Sequence, residues 1–201
     1  MIKNIVFDVG QVLMAYDPIG YLEKLGFDKE TIDIVNRAVF AHPLWEEADR
    51  GTYPTEVIWD GFRQAAPGYE NEIQLVYDRI AEVIDLMPYA KEWVQELKER
   101  GYHLYILSNY AEYTYQRTCD KMEFLPYMDG TLFSYADKMG KPDREIYQCL
   151  CDRFHLIPEE TVFLDDREEN IEGARKLGIH GIVFKNEFQA KKELEMFLKE
   201  V

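Results

Sequence analysis

The sequence predicts an α/β fold: an open, doubly wound, Rossmann-like parallel sheet with an inserted helical-bundle domain. Three observations lead there. Four short runs are mainly apolar and rich in β-branched residues, amphipathic helical patterns precede three of them, and one long stretch near the N-terminus is helical in pattern alone. A strand apolar on both faces is buried on both, the mark of a parallel sheet covered by helices. Strand–helix alternation with short links is how such sheets are wound.

The first run, residues 2–7, ends at Asp8-Val9-Gly10. Further strands are expected at residues 103–107, 161–164 and 181–184, with helices before them at 90–100, 144–154 and 171–177. Gly101 and Gly178 stand where helix C-caps fall. Helical patterns at 19–25, 29–40, 55–66 and 71–83 are broken by His42-Pro43, Gly51 and Pro67-Gly68, with no convincing strand between them. The chain thus divides into an α/β core, residues 1–16 and 87–201, and a helical cap, residues 17–86, inserted after the first strand and its turn.

Composition narrows the function. With 201 residues, 47% hydrophobic and 14% aromatic, the chain can fill a core. Its formal net charge of −15 repels phosphate backbones and anionic lipid, so nucleic acid and membrane are poor partners. It also repels small anions, so any phosphate site must carry its own cations or donors. The longest apolar runs are far short of a membrane span. Cys119, Cys149 and Cys151 have no metal-binding spacing, and an odd count without an export pattern predicts reduced thiols and a cytoplasmic protein.

In open parallel sheets, ligands bind beyond the carboxyl ends of the strands, near the point where strand order reverses. The residues at those ends are Asp8, Ser108-Asn109 and Asp165-Asp166, and Lys141, on the loop Gly140-Lys141-Pro142, could reach the same crevice. Taken singly, each has a plainer role as a turn former, a helix cap or a solvated lysine. Together they say more. Three carboxylates brought close raise one another's pKa values and stay ionised only beside a cation. Oxygen donors without histidine or cysteine favour Mg²⁺, Lys141 adds a second positive charge, and Ser108 and Asn109 can donate to phosphate oxygens. That is the composition of a phosphoryl-transfer site.

Four segments then carry a resemblance. Phe7-Asp8-Val9-Gly10-Gln11-Val12-Leu13, Leu107-Ser108-Asn109, Gly140-Lys141-Pro142 and Phe163-Leu164-Asp165-Asp166 resemble, in order and spacing, the four motifs of the haloacid dehalogenase-like superfamily, with Asn170 and Ala174 extending the last. The helical insertion is similar to the small cap of one branch, and a glycine two after the first aspartate is similar to the bacterial α-glucose-1-phosphate phosphatase group. The resemblance implies a phosphatase acting on a small phosphorylated substrate, such as a sugar phosphate. Asp8 would attack phosphorus and form an aspartyl-phosphate. Asp8, Asp166 and the Gly10 carbonyl would hold Mg²⁺, with Asp165 supporting it. Ser108 and Lys141 would bind the phosphate, with Lys141 also steadying Asp8, and Asn109 would orient the loop or touch the substrate.

One position departs from that pattern. Most phosphatases of the family carry an acid where Gly10 stands. Asp17, Glu46, Glu47 or Asp49 could substitute for it, the leaving group could be good enough without it, or the protein could be a weak or inactive relative that binds a phosphorylated ligand. A metal-independent dehalogenase would leave Asp165-Asp166 without a task. In the cap, Trp45 either stacks on a substrate or packs in the helical core. Arg50 either holds a second anionic group or pairs with Glu46 or Glu47 on the surface.

Overall fold

The computed structural model describes residues 1–199. β1 (Asn4–Phe7) leads through a tight turn into β2 (Met14–Tyr16). Five helices follow: α1 (Pro18–Lys24), α2 (Lys29–Ala38), α3 (Leu44–Asp49), α4 (Thr55–Ala65) and α5 (Glu70–Asp78). The chain returns through a short 3₁₀ turn, Ile80–Val83, to β3 (Ile84–Leu86). Strand and helix then alternate: α6 (Ala90–Glu99), β4 (His103–Ser108), α7 (Glu112–Thr118), β5 (Gly130–Phe133), α8 (Ser134–Asp137), α9 (Arg144–Phe154), β6 (Thr161–Asp165), α10 (Glu168–Arg175), β7 (His180–Val183) and α11 (Glu187–Lys199).

The apolar runs pair into one parallel sheet of order β5-β4-β1-β6-β7, with β1 in the middle. Strand order reverses beside β1, so its carboxyl end opens on the crevice where such sheets bind ligands. Side chains alternate between two layers. Ile5 and Phe7 join Ile106, Leu164, Trp93, Val94 and Leu194 on one face. Val6 joins Leu107, Phe163, Ile146, Leu150 and Ala174 on the other. Both faces are dry, which is why these strands read as unbroken apolar runs.

The helices start and stop where the sequence provides the chemistry. Asp17 caps α1 by accepting from the Gly20 amide at 2.9 Å, and Asp28 caps α2 through the Thr31 amide at 2.8 Å. Gly101 and Gly178 follow α6 and α10 at φ +89°, a backbone shape that favours glycine. The apolar faces of α1, α2, α4 and α5 (Leu22, Val35, Phe62, Ile73) join the same core cluster as one face of the sheet.

Several elements differ from the sequence reading, among them α3, where residues 44–49 are helical instead of a loop. β5 pairs with β4 at the sheet edge, where Gly130 and Thr131 give only a weak strand signal. β2 and β3 form a two-stranded antiparallel ribbon, register Met14 to Leu86, although no strand is expected between residues 17 and 86. Three-residue strands are too short to show a period. The helix expected over 71–83 stops at Asp78, and the residues beyond tighten into the 3₁₀ turn.

Candidate active site

The sheet register builds the site. Phe7 stands opposite Ile106 on β4 and Leu164 on β6. Asp8 and Asp165 therefore leave the sheet at one level, with Ser108 and Asp166 a step further on. The Asp8 amide donates to the Leu164 carbonyl at 2.9 Å, which fixes the backbone at the point of departure. Beyond it, Gln11 at φ +58° folds the turn, with its amide on the Met14 carbonyl and its side chain donating to the Tyr16 carbonyl.

Lys141 reaches the same place from the loop before α9. Its ammonium donates to Asp165 Oδ2 at 2.6 Å and to the Leu107 carbonyl at 3.0 Å, and lies 2.8 Å from Asp8 Oδ1. That last approach is an ion pair by distance, but its angles miss the hydrogen-bonding directions, so Asp8 Oδ1 is buried without an aligned donor. Lys141 is held above the ordinary lysine range: burial pulls it down, and Asp165 and Asp8 more than offset that. Burial pushes the Asp8 carboxyl up from 3.8 to about 6, with Lys141 acting against the shift and Asp165 adding to it.

The two adjacent aspartates divide their work. Asp165 is fully buried and saturated. It accepts from Lys141, from the Arg167 amide at 2.8 Å and from the Asn170 side-chain amide at 3.0 Å. Asp166 is partly exposed, lines the cavity, and is raised by burial and by Asp165. Asp165 thus anchors Lys141, and Asp166 is free to meet a ligand.

Asn109 is spent on the loop that carries Lys141. Its side-chain oxygen accepts from the Lys141 amide at 2.8 Å and its nitrogen donates to the Lys141 carbonyl at 3.0 Å. Ser108 is buried, and its hydroxyl lies 3.5 Å from the Asn109 carbonyl, too long to be held there. It also faces Asp8, whose charged form it favours, so the hydroxyl can turn from that carboxylate toward a ligand oxygen.

The donor set suits a hard divalent cation. Carboxylate oxygens of Asp8, Asp165 and Asp166 lie within 4.8 Å of one another. Asp8 Oδ1 and Asn170 Oδ1 are buried without hydrogen-bond partners, and buried acceptors left in that state are expensive unless something binds them. An all-oxygen set with room for water fits Mg²⁺.

A cavity of about 660 Å³ opens over these groups, within the size range of small-ligand sites. Asp8, Gly10, Ser108, Asn109, Lys141 and Asp166 form its floor, and Tyr16, Phe40, Trp45, Glu46, Asp49 and Tyr110 form much of its walls. Trp45 stands between the cavity and the helical core. It lines the cavity and packs on Phe40 and Phe62, with ring centroids 5.0 and 6.3 Å away. Tyr113 turns away and stacks on Tyr77 at 4.4 Å.

Arg50 does not line this cavity; its guanidinium pairs with Asp143 at 2.5 Å. Consecutive residues at a helix end point about 100° apart, so where Asp49 faces the cavity, Arg50 faces the loop beside it. Arg167, at the mouth, is the cavity arginine that sequence reasoning overlooked. Its position directly after Asp165-Asp166 was the available signal.

Fold and site together define a class: hydrolases in which an aspartate at the end of a central parallel strand faces a lysine, a hydroxyl and a second acidic pair. The chain belongs to the haloacid dehalogenase-like hydrolases, whose family model matches residues 2–178. It is similar to a D-ribitol-5-phosphate phosphatase of Bacteroides thetaiotaomicron, 27% identical over 98% of this chain and 99% of that one. A sesquiterpene phosphatase of Aspergillus oryzae is 25% identical over 90% of this chain and 88% of its own length. Among solved structures, a family enzyme of B. thetaiotaomicron in complex with magnesium and inorganic phosphate superimposes with a TM-score of 0.75. It is 26% identical over 95% of this chain and 99% of that one.

Proposed function

We propose that this chain is a magnesium-dependent phosphatase acting on a small phosphorylated metabolite, with Asp8 as nucleophile. The observation that carries this reading is the unsatisfied Asp8 Oδ1, buried beside Lys141 and facing a cavity that also holds Ser108 and Asp166. Asp8 attacks phosphorus and the bond to the leaving oxygen breaks. Water then cleaves the aspartyl-phosphate and returns Asp8 as a carboxylate. Lys141 holds Asp8 ionised and balances charge on the phosphate, and the Ser108 hydroxyl donates to a phosphate oxygen. Asp8, Asp166 and the Gly10 carbonyl would hold Mg²⁺, with Asp165 behind them. The bound ion would neutralise phosphate charge that a chain of net charge −15 otherwise repels.

Residues 17–86 act in this reading as a cap that sets specificity. A sugar phosphate fits best: Tyr16, Phe40 and Trp45 offer ring faces, and Glu46 and Asp49 offer acceptors for hydroxyl groups. The named phosphatase relatives support the phosphate chemistry. Asp165-Asp166 weigh against a metal-independent dehalogenase. With Cys119, Cys149 and Cys151 all free, a reducing compartment, the cytoplasm, suits the protein. The test is phosphate release from sugar phosphates, acyl phosphates and p-nitrophenyl phosphate, with Mg²⁺ or chelator, for wild type and Asp8→Asn. Turnover that needs the metal and vanishes in Asp8→Asn is expected. Wild type inactive on every phosphate would sink the proposal.

A further inference from the structure

Expelling an alkoxide from phosphorus requires a proton, and no group on the cavity floor is placed to give one. Asp8 is the nucleophile, Asp166 belongs to the acidic cluster, Lys141 is committed to two carboxylates, and Gly10 has no side chain. Four acids near the turn and in the helical insertion remain, and their surroundings separate them. Asp17 is exposed and caps α1. Glu47 does not line the cavity, and Glu46 is exposed. Asp49 lines the cavity, is largely buried, and makes no side-chain hydrogen bond to another side chain among the described residues. His42 also lines it, but its Nδ1 accepts from the Leu44 amide at 3.2 Å and its ring stands edge-on to Phe62.

Asp49 is also held in place. Ser134 donates its hydroxyl to the Asp49 carbonyl and accepts from the Tyr110 amide at 2.8 Å, tying the end of α3 to the loops over the sheet. Arg50 pairs with Asp143. Gly51, at φ +63°, packs so closely on Tyr135 that an added Cβ would lie 2.5 Å from its carbonyl oxygen. Three consecutive residues thus fasten this corner of the insertion to the α/β part, and the first of them presents a carboxyl to the cavity. Fixing a catalytic group in this way is what makes proton transfer effective.

We infer that Asp49 is the general acid and base of this enzyme, a catalytic residue contributed by the helical insertion. The inference rests on the phosphatase reading. As Asp8 attacks phosphorus, the bond to the leaving oxygen breaks, its electron pair stays on that oxygen, and the Asp49 proton goes to it. In the second step the Asp49 carboxylate takes a proton from water. The water oxygen bonds to phosphorus, and the phosphorus–oxygen bond to Asp8 breaks with its pair returning to Asp8. Inorganic phosphate leaves, and Asp49 is again protonated.

The charges facing Asp49 suit both halves of that cycle. Burial, then Asp8, then Glu46 push its carboxyl up to about 7, with Lys141 and the Ala111 amide acting against them. Tyr16 and Tyr110, its other titratable neighbours, are themselves held protonated by burial. A group near neutrality can both give and take a proton.

The test is the dependence of Asp49→Asn on the leaving group. On the sugar phosphate that wild type turns over fastest, kcat/KM, which reports the phosphoryl-transfer step, is expected to fall by roughly 10²–10⁴-fold, the usual worth of general acid–base catalysis. On p-nitrophenyl phosphate, whose leaving group needs no proton, kcat/KM is expected to fall much less, while kcat drops on both substrates because they share the aspartyl-phosphate whose hydrolysis needs the base. Gly10→Asp in the Asp49→Asn background is expected to restore part of the lost rate, since a Cβ at residue 10 meets nothing within 4 Å. Asp17→Asn should leave the ratio of the two substrates unchanged. Equal losses of kcat/KM on both substrates, with no rescue, would overturn the role of Asp49 and leave the phosphatase intact. Wild type that cleaves p-nitrophenyl phosphate but no sugar phosphate would overturn it too, and wild type inactive on every phosphate would overturn both readings.

Discussion

Replacing Asp8 by asparagine should stabilise the metal-free protein while destroying its activity, and the size of the gain follows from the site. The Asp8 side chain is 10% exposed, and burial lifts its pKa from 3.8 to about 6 despite Lys141 at 2.8 Å. About two units at about 1.4 kcal/mol each make the charged carboxylate a burden of about 3 kcal/mol above pH 6. The sign follows from linkage. An acid with a raised folded-state pKa holds its proton better when folded, so its contribution is full below pH 3.8, falls through the interval, and is gone above about 6. Asparagine does not titrate, so the stability gap between variant and wild type should open between about pH 4 and pH 6. At roughly 2–4 °C per kcal/mol for a chain of this size, Asp8→Asn should melt about 6–12 °C higher than wild type at pH 8 in chelator. Calorimetry across pH 4–8 measures this directly. Adding Mg²⁺ should raise wild type more than the variant, because the ion binds the charged pocket only in the folded state. If Asp8→Asn melts below wild type at pH 8 without metal, pairing with Lys141 outweighs desolvation and the reasoning fails.

Lys141→Met should do the opposite. It leaves Asp8 and Asp165 buried without their cation, at a cost of about 3–5 kcal/mol at pH 8 that shrinks toward pH 5 as Asp8 takes up its proton; urea melts at both pH values test this, and an equal loss at both would refute it. Gly173→Ala, on α10, should lower Tm despite alanine's better helix propensity. The new Cβ would sit 2.8 Å from Tyr147 Cε2 and 2.9 Å from the Pro142 carbonyl, an overpacking worth about 1–3 kcal/mol. Because Pro142 follows Lys141, kcat should fall as well, and a rise in both quantities would show that the loop yields freely.

How much of this was legible in the sequence depended on how local each cause is. β1, β4, β6 and β7 announce themselves because burial on both faces makes their middles apolar, and Asp8 and Asp165 are conspicuous as the charges that end such runs. The convergence of the motifs follows from strand order alone. Side-chain direction did not. Arg50 and Asp49 are neighbours in sequence, and only the end of α3 decides that one meets Asp143 while the other meets the cavity. The pair of hydrogen bonds between the Asn109 side chain and the Lys141 backbone joins residues 32 apart, and no pattern in either segment foretells it. β2 and β3 stayed hidden because each strand exists only through its partner.

That ribbon has a consequence for how such an enzyme can change. Met14 lies opposite Leu86 and Tyr16 opposite Ile84, so the chain departs from the sheet and comes back to it on adjacent strands, about 5 Å apart. Whatever hangs between them is asked only to begin and finish at that doorway. Closing a longer excursion adds only about 0.6 kcal/mol per doubling of its length, so helices there can be lengthened, traded or rebuilt while β1 and β6 keep their carboxylates in register. Selection on what is recognised can then proceed largely apart from selection on how phosphorus is attacked. A proton donor such as Asp49 sits on the interchangeable side of that doorway, which ties the proton chemistry to recognition more closely than to the nucleophile it assists.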